Sequence, residues 1–174
     1  MSFQKALGQT VILGIDPGLQ RTGWGAIACE GARISWVAHG VVAPPTSLPL
    51  AERLGFLVRG IQEVLAIYRP TEASVEEVFM AKNAQSALLL GHARGATLAI
   101  LSQNQVAVSE YATRRIKKAL VGTGSAEKDQ VAFMVRRLLP QSGSVSADAA
   151  DALAAAICHA AERRSPAFVM EKTA

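Results

Sequence analysis

Residues 11–18, Val-Ile-Leu-Gly-Ile-Asp-Pro-Gly, constrain the fold more than any other stretch of the chain. A run of aliphatic residues that is closed by a Pro-Gly turn is typical of a buried β-strand. Asp16 is therefore expected at the end of a strand, beside the core, where a carboxylate is costly unless something pairs with it. The side chain either caps its own turn or belongs to a functional group of acids, and the other acids of the chain decide between these interpretations.

Three strands are predicted in the first quarter of the chain, at about 11–15, 22–28 and 34–42. The connections between them are too short for a crossover, so we expect an antiparallel meander. Gly23 and Gly25 are expected to weaken or bulge the second strand.

Helical periodicity begins at Leu50 and stops before Pro70. A fourth strand at 73–79 follows this helix, and a helical crossover favours a parallel arrangement with the first strand. The remaining predicted elements are a helix at 83–102, a short strand at 106–108, a helix at 111–120, a helix that Ser125 caps and Pro140 ends, and an alanine-rich helix at 147–163.

The predicted fold class is α/β: a mixed five-stranded sheet, with three antiparallel strands followed by parallel strands, flanked by helices. Half of the 174 residues are apolar, which suits the core of one domain. We expect that domain to span residues 1–164 and residues 165–174 to form a flexible tail. The net charge of +4 permits a polyanionic partner without proving one.

No basic-then-apolar leader is present, and the longest apolar stretch, 87–101, contains His92 and Arg94. These features favour a cytoplasmic protein with neither an export signal nor a membrane span. Cys29 and Cys158 make no CxxC pair, and we expect both to be reduced, buried and inert.

Two aspartates, Asp148 and Asp151, are three residues apart near the start of the last predicted helix, which puts both on one face. The helix dipole favours acids in the first turn. The surrounding alanines, however, indicate a closely packed helix, on which two aspartates of one face need a cation. In the fourth strand Glu76 and Glu77 point to opposite faces, and Glu76 comes near Asp16 if strands one and four are neighbours.

Four acids from three elements would then converge at the ends of the strands. Carboxylate oxygens suit Mg²⁺ or Mn²⁺, and two such ions roughly 4 Å apart can align a water and a leaving oxygen across a phosphodiester. The three histidines are scattered and give no zinc-like spacing.

Four segments, in order and at similar spacings, resemble the RuvC family of bacterial Holliday-junction resolvases: 12–18, 75–83, 124–128 and 147–153. The likeness covers about residues 11–163. It implies a ribonuclease H-like fold, a homodimer, and a nuclease that makes paired symmetric nicks across four-way junction DNA in recombination and repair. It also implies Mg²⁺ dependence, with two ions per subunit that Mn²⁺ can replace, and the RuvA–RuvB branch-migration complex as a partner. Metal binding and catalysis are then assigned to Asp16, Glu76, Asp148 and Asp151.

Basic residues are clustered around the loop at 122–125, and clustered positive charge is more typical of a phosphate-binding surface than scattered charge is. These residues are Arg114, Arg115, Lys117, Lys118 and Lys128. Lys117 and Lys128 also match family lysines that are linked to substrate binding and activity. Arg136 and Arg137 extend the patch.

The segment after the fourth strand contains Phe79, Lys82 and Asn83. Phe79 either caps the core of the sheet or is a wedge that stacks on an unpaired base at the centre of a junction. The resemblance favours the wedge and adds Lys82 and Asn83 to the DNA-binding residues.

Gly91 and Gly95 are four residues apart on the predicted helix at 83–102. They allow this helix either to pack closely on its own sheet or, as the resemblance suggests, to form part of a dimer interface.

Three other functions compete with junction resolution. One is a ribonuclease H-like nuclease for an RNA–DNA hybrid or a structured RNA, which the four acids alone do not separate from a resolvase. Another is an ATP-binding protein related to actin or sugar kinases, for which the chain is too short. The third is a junction-binding module without catalysis, which would gain nothing from clustered negative charge.

Overall fold

The computed structural model describes residues 8–77 and 83–163, and these form five strands, five α-helices and one short 3₁₀ helix. The strands are β1 (Thr10–Asp16), β2 (Thr22–Glu30), β3 (Arg33–Val42), β4 (Glu72–Glu77) and β5 (Ala107–Ala112). The helices are α1 (Leu50–Tyr68), α2 (Ala84–Gln103), α3 (Thr113–Val121), α4 (Lys128–Leu138), the 3₁₀ helix Pro140–Ser142 and α5 (Ala147–Glu162).

The strands form one sheet in the order β3-β2-β1-β4-β5. β2 pairs antiparallel with both β1 and β3, whereas β4 is parallel to both β1 and β5. The predicted mixed five-stranded sheet is therefore confirmed. Ile15 of β1 pairs with Val75 of β4, so the next residues along the two parallel strands, Asp16 and Glu76, are neighbours.

Both faces of the sheet are covered by helices, which explains why β1 is a continuous apolar run rather than an alternating one. Ile12 and Ile27 belong to a core that α3, α4 and α5 complete on one face. Leu13 and Ile15 belong to the core on the other face, where α1 and α2 pack. The sheet thus separates the helix that carries Asp148 and Asp151 from α1 and α2.

Glycines in β1 and β2 let α5 lie very close to the sheet. A Cβ on Gly14 would be 1.9 Å from the carbonyl oxygen of Ala152, and a Cβ on Gly23 would be 2.0 Å from the carbonyl oxygen of Asp148. No side chain fits in either place, so backbone packs directly against backbone.

The glycines of β2 were expected to weaken or bulge that strand, but their role is to admit α5. A Cβ on Gly25 would be 2.5 Å from the side chain of Leu153, a residue of α5. The irregularity in the pairing of β2 with β3 lies instead between Ala26 and Ile27.

Two boundaries near β5 differ from the prediction. β5 reaches Ala112 rather than ending at 108, because its parallel pairing with β4 continues to the Glu77–Ala112 pair. The following helix therefore begins at Thr113 instead of Tyr111, and Tyr111 is a buried strand residue.

The predicted cap of α4 is wrong by two residues. Glu127, and not Ser125, is the N-cap, and it forms a reciprocal capping box with Gln130. Ser125 instead contacts the hydroxyl of Thr123.

Hydrogen bonds fix α5 along its length. The hydroxyl of Ser74, which is buried in β4, donates to the carbonyl oxygen of Ala155 at 2.8 Å. Nearer the end of the helix, the ring of His159 lies 2.8 Å from the hydroxyl of Tyr111 and 2.8 Å from a carboxylate oxygen of Glu72. Arg163 completes this chain with a 2.6 Å hydrogen bond to Glu72.

The two cysteines are buried and free, as predicted. Within residues 8–77 and 83–163, no helix is long and apolar enough to cross a bilayer.

We predict opposite effects on stability from two glycine-to-alanine substitutions. Gly14→Ala should lower the free energy of unfolding by about 3 kcal/mol or more, because neither backbone can move away. Gly55→Ala in α1 should raise it by about 0.5–1 kcal/mol, through helix propensity, since the nearest atom is the end of the flexible Arg59 side chain at 3.4 Å. Urea denaturation measures both changes. A Gly14→Ala protein as stable as the parent would contradict the close approach of α5.

Candidate active site

Two of the four predicted acids come from neighbouring parallel strands. Asp16 is the last residue of β1, and Glu76 is the penultimate residue of β4. Both side chains are half-buried. Because the carboxyl ends of parallel strands meet at one edge of the sheet, the two acids lie side by side, as predicted.

The other two acids come from the start of α5, which the glycines of β1 and β2 hold against the same edge. Asp148 is in the first turn, next to Gly23, and Asp151 follows one turn later. The structure thus brings all four predicted acids together from three elements.

A cavity of about 200 Å³ opens beside three of these acids, and we call it the acidic cavity. It is lined by Asp16, Glu76, Asp151, Thr113, Ile116, Lys117, Lys128, Val131 and Ala154. Acids of β1, β4 and α5 thus share the lining of this cavity with lysines of α3 and α4. Asp148 is not one of the lining residues; its carboxylate accepts a hydrogen bond from Arg21.

Burial and repulsion between carboxylates raise the pKa values of the two acids that lie on strands, Asp16 and Glu76. Burial, followed by the nearby carboxylates of Glu76, Asp151 and Asp148, raises the pKa of Asp16 from its ordinary 3.8 to about 8. Burial also raises the pKa of Glu76, although a hydrogen bond from Thr113 opposes the shift. Two neighbouring carboxyl groups that both resist ionisation favour the binding of a cation.

Protein donors satisfy the acids in the present structure. The guanidinium of Arg21 donates to Asp148 at 2.6 Å, and the ammonium of Lys128 lies 3.3 Å from Asp151. The hydroxyl of Thr113 donates to Glu76. The carboxylate of Asp151 is the main cause of a raised pKa of Lys128. The two aspartates of α5 were expected to need a cation. The protein supplies one to each of them, Arg21 to Asp148 and Lys128 to Asp151.

The donor set fits a divalent metal, although the acids are not arranged as ligands here. Among the described residues, no three His, Cys, Asp or Glu side chains stand close enough together to hold a metal ion. Asp148 and Asp151 are turned toward cationic side chains, and Glu76 toward a hydroxyl. A donor set made only of carboxylate oxygens is the chemistry that Mg²⁺ and Mn²⁺ select.

A family model described as crossover junction endodeoxyribonuclease RuvC matches residues 12–159. The chain belongs to the RuvC family. A RuvC protein from Caulobacter vibrioides is 55% identical over 151 residues, which cover 87% of this chain and 89% of the relative. One from Maricaulis maris is 56% identical over 154 residues, which cover 88% and 92%. RuvC nucleases depend on divalent metal ions.

Solved structures agree with this assignment. RuvC of Thermus thermophilus in complex with a Holliday junction substrate superposes with a TM-score of 0.80 at 35% identity, over 87% of this chain and 93% of that one. The yeast mitochondrial Holliday junction resolvase has a TM-score of 0.63 over 94% of this chain and 86% of its own, but at 10% identity it supports the fold alone. The predicted ribonuclease H-like fold is confirmed.

The residues predicted to bind DNA are distributed unevenly in this RuvC protein. Lys117 and Lys128 line the acidic cavity, whereas Arg114 and Lys118 are exposed on α3 outside its lining. Arg115 is engaged with Glu162 near the end of α5 in an ion pair of 2.9 Å.

The segment after β4 is only partly described. Asn83 caps α2 by accepting a hydrogen bond from the backbone N–H of Ser86 at 2.9 Å. Phe79 and Lys82 lie outside the described residues, and their predicted role is not tested.

Sequence reasoning missed two polar residues of the site, Arg21 and Thr113. Arg21 lies five residues after Asp16, in the turn that follows β1. This position beside a predicted site acid was the signal that could have identified it. Thr113 gave no such signal, because it was expected inside a helix and not at the point where β5 ends beside β4.

Removal of the Asp16 carboxylate should stabilise the metal-free protein. A carboxyl group whose pKa rises on folding binds a proton more tightly in the folded state, so its contribution to stability is lost as pH rises from about 4 to about 8. Asp16→Asn should therefore raise the melting temperature by several degrees near pH 8 in EDTA, and by less near pH 5.

The matched control is Asp129→Asn, which removes an exposed carboxylate from the first turn of α4 and should give no such gain. Added Mg²⁺ should stabilise the parent more than Asp16→Asn. A variant that melts below its parent near pH 8 in EDTA would contradict the repulsion at this site.

Proposed function

We propose that this protein is a structure-selective endodeoxyribonuclease that resolves four-way DNA junctions in recombination and repair. The observation that supports it best is the convergence of Asp16, Glu76 and Asp151 on one cavity that lysines also line, in a chain of the RuvC family. The Thermus thermophilus relative, at 35% identity, was solved with a Holliday junction substrate.

The four acids are the proposed ligands of two Mg²⁺ ions per subunit, with Mn²⁺ as a substitute. When bound there, divalent ions supply a polarised water and charge neutralisation at the phosphodiester. The ligand oxygens of Asp16 and Glu76 come from adjacent strands of one sheet, and those of Asp148 and Asp151 from a helix in backbone contact with that sheet. Such rigid supports favour the accurate placement that this chemistry needs.

The side chains around the acids have separate roles in this proposal. Thr113 holds the carboxylate of Glu76 through its hydroxyl and so restricts its rotation. Lys117 and Lys128, in the cavity wall, bind phosphates of the strand to be cut. Arg114 and Lys118, exposed on the same helix as Lys117, extend the contact along the backbone of the DNA.

Selectivity for a junction over duplex is assigned to the segment that follows β4. Glu76 belongs to the acid cluster and precedes Phe79 by only three residues in the sequence. A phenylalanine so near the acids along the chain suits a stacking wedge for an unpaired base. Lys82 and Asn83 are the proposed polar contacts of the same segment.

A homodimer is the proposed functional unit, because two symmetric nicks need two active sites related by a two-fold axis. α2 suits an interface: Leu88 is 62% exposed, and a Cβ on Gly91 or Gly95 would meet nothing within 4 Å. The other interpretation, that these glycines pack closely on the sheet of their own chain, is therefore wrong. The RuvA–RuvB complex is the proposed partner in the cytoplasm.

The central test is cleavage of three labelled substrates with and without Mg²⁺: a mobile four-way junction, a linear duplex and an RNA–DNA hybrid. We expect nicks in the junction alone, and only with the metal. Asp16→Asn should lower cleavage by several orders of magnitude, because the amide supplies no charge for metal binding. Metal-free junction binding should persist or tighten, since a repelling charge has gone.

Glu63→Gln is the control for this substitution, because it removes one exposed carboxylate from α1, on the opposite face of the sheet from α5. It should leave cleavage unchanged. A folded Asp16→Asn protein that cuts at the parent rate would refute the site, and cleavage of the hybrid instead of the junction would refute the substrate.

Light scattering at micromolar concentration should give a mass of about 37 kDa, twice the 18.3 kDa of the chain. Leu88→Glu should lower this mass toward that of the monomer, since it puts a charge into the proposed interface. Phe133→Glu, at another exposed apolar residue that lies on α4, should not. A monomer that nicks both strands in one binding event would contradict the dimer.

A further inference from the structure

The turn between β1 and β2 presents Arg21 to the acid cluster. Its Nε donates to a carboxylate oxygen of Asp148 at 2.6 Å, a short, charge-assisted hydrogen bond. The side chain of Arg21 is 52% exposed and that of Asp148 is 29% exposed, so water reaches both partners. An exposed pair of this kind contributes little to stability and exchanges readily.

Hydrogen bonds hold the backbone of the turn that carries Arg21, whereas the side chain of Arg21 is held by its exposed pair with Asp148. The next residue, Thr22, is fully buried, and its hydroxyl donates to the carbonyl oxygen of Gly18 at 2.7 Å. The N–H of Gly18 donates back to the same hydroxyl at 3.1 Å. Arg53 of α1 donates to the carbonyl oxygen of Leu19 at 3.1 Å. The backbone of the turn is therefore held, and Arg21 can change its partner by movement of its half-exposed side chain alone.

Arg21 and Lys128 hold different acids of α5. Lys128 belongs to α4 and pairs with Asp151, whereas Arg21 belongs to the β1–β2 turn and pairs with Asp148. DNA that enters between these two elements would find a cation on each. A guanidinium is also well matched to a phosphate, because its planar fork can donate two hydrogen bonds at once.

We propose that Arg21 is an exchangeable counter-ion of the acid cluster and a phosphate-binding residue. In the metal-free protein it neutralises Asp148; when a divalent ion takes that carboxylate, Arg21 moves to a phosphate of the bound junction. This inference rests on the proposed function: the first step on the proposed binding of a metal ion by Asp148, and the second on the binding of junction DNA. The first step needs no DNA and can be tested separately.

The first test is a calorimetric titration of the full-length, DNA-free protein with Mn²⁺. Arg21→Gln should bind Mn²⁺ about two- to fivefold more tightly than the parent, since the ion no longer competes with an exposed ion pair. Arg21→Lys, which keeps the charge but loses the fork, should lie between them. Thermal melts establish that each variant is folded.

Arg115→Gln is the matched control for metal affinity. Its ion pair with Glu162 measures 2.9 Å, and its side chain is 57% exposed, close to the value for Arg21. It pairs with none of the four acids and does not line the acidic cavity. It should leave Mn²⁺ affinity unchanged. An Arg21→Gln protein whose Mn²⁺ affinity equals or falls below that of the parent overturns the proposal.

The second test concerns the phosphate. In saturating Mg²⁺, Arg21→Gln should raise KM for the junction several-fold with little change in kcat, and the slope of log KM against log salt should fall by about 0.9, the value for one lost phosphate contact. In EDTA Arg21→Gln should bind the junction no more tightly than the parent, because Arg21 is then held by Asp148 and its loss uncovers a repelling carboxylate. An unchanged slope in Mg²⁺ overturns the proposal. A parent that fails to cut junctions would instead refute the proposed function, while the Mn²⁺ titration would still decide the exchange.

Discussion

Direct backbone contact between α5 and the sheet is the constraint on which the site depends. Gly14 and Gly23 leave no room for a side chain beneath this helix, and the alanines of α5 add little bulk on the other side. Two aspartates with short side chains can therefore reach the end of β1. Longer side chains could span a wider gap, but only with more rotatable bonds and less accurate placement.

Repulsion between the carboxylates opposes the close packing of α5 on the sheet, which brings these carboxylates together. Four carboxylates are brought together, and burial disfavours the ionised forms of Asp16 and Glu76, so the pKa values of these two acids are raised. Arg21, Lys128 and Thr113 relieve part of this repulsion from three separate elements. The relief from the two cations is weak and exposed to solvent, which keeps the acids available for a metal ion. In a buried, fully paired cluster the loss of one partner would leave an uncompensated charge, so such a cluster would exchange its partners far less readily.

Much of this arrangement could be predicted from local patterns. The apolar run before Asp16 and the crossover helix before β4 together imply that Glu76 lies beside Asp16, and the register confirms it. What local patterns could not supply depends on pairing between distant segments. β5 extends to Ala112 only because β4 is there to pair with it. Arg21 and Thr113 acquire their roles from acids that are distant in sequence. The cap of α4 is a different case, since the capping box that Glu127 forms with Gln130 is local in sequence and was available as a signal.

The far end of α5 is connected to the site through the sheet. His159 links the helix to Tyr111 and Glu72, and Arg163 holds Glu72 as well. Burial alone would raise the pKa of Glu72, but the hydrogen bond from His159 and the charge of Arg163 hold it below its usual value, which keeps the carboxylate ionised as an acceptor. Tyr111 pairs with Glu76 across β4 and β5, and Thr113, two residues further on, holds the Glu76 carboxylate. The same short stretch of chain thus anchors α5 at one end and orients an acid of the site at the other, so a shift of the helix along the sheet would disturb both.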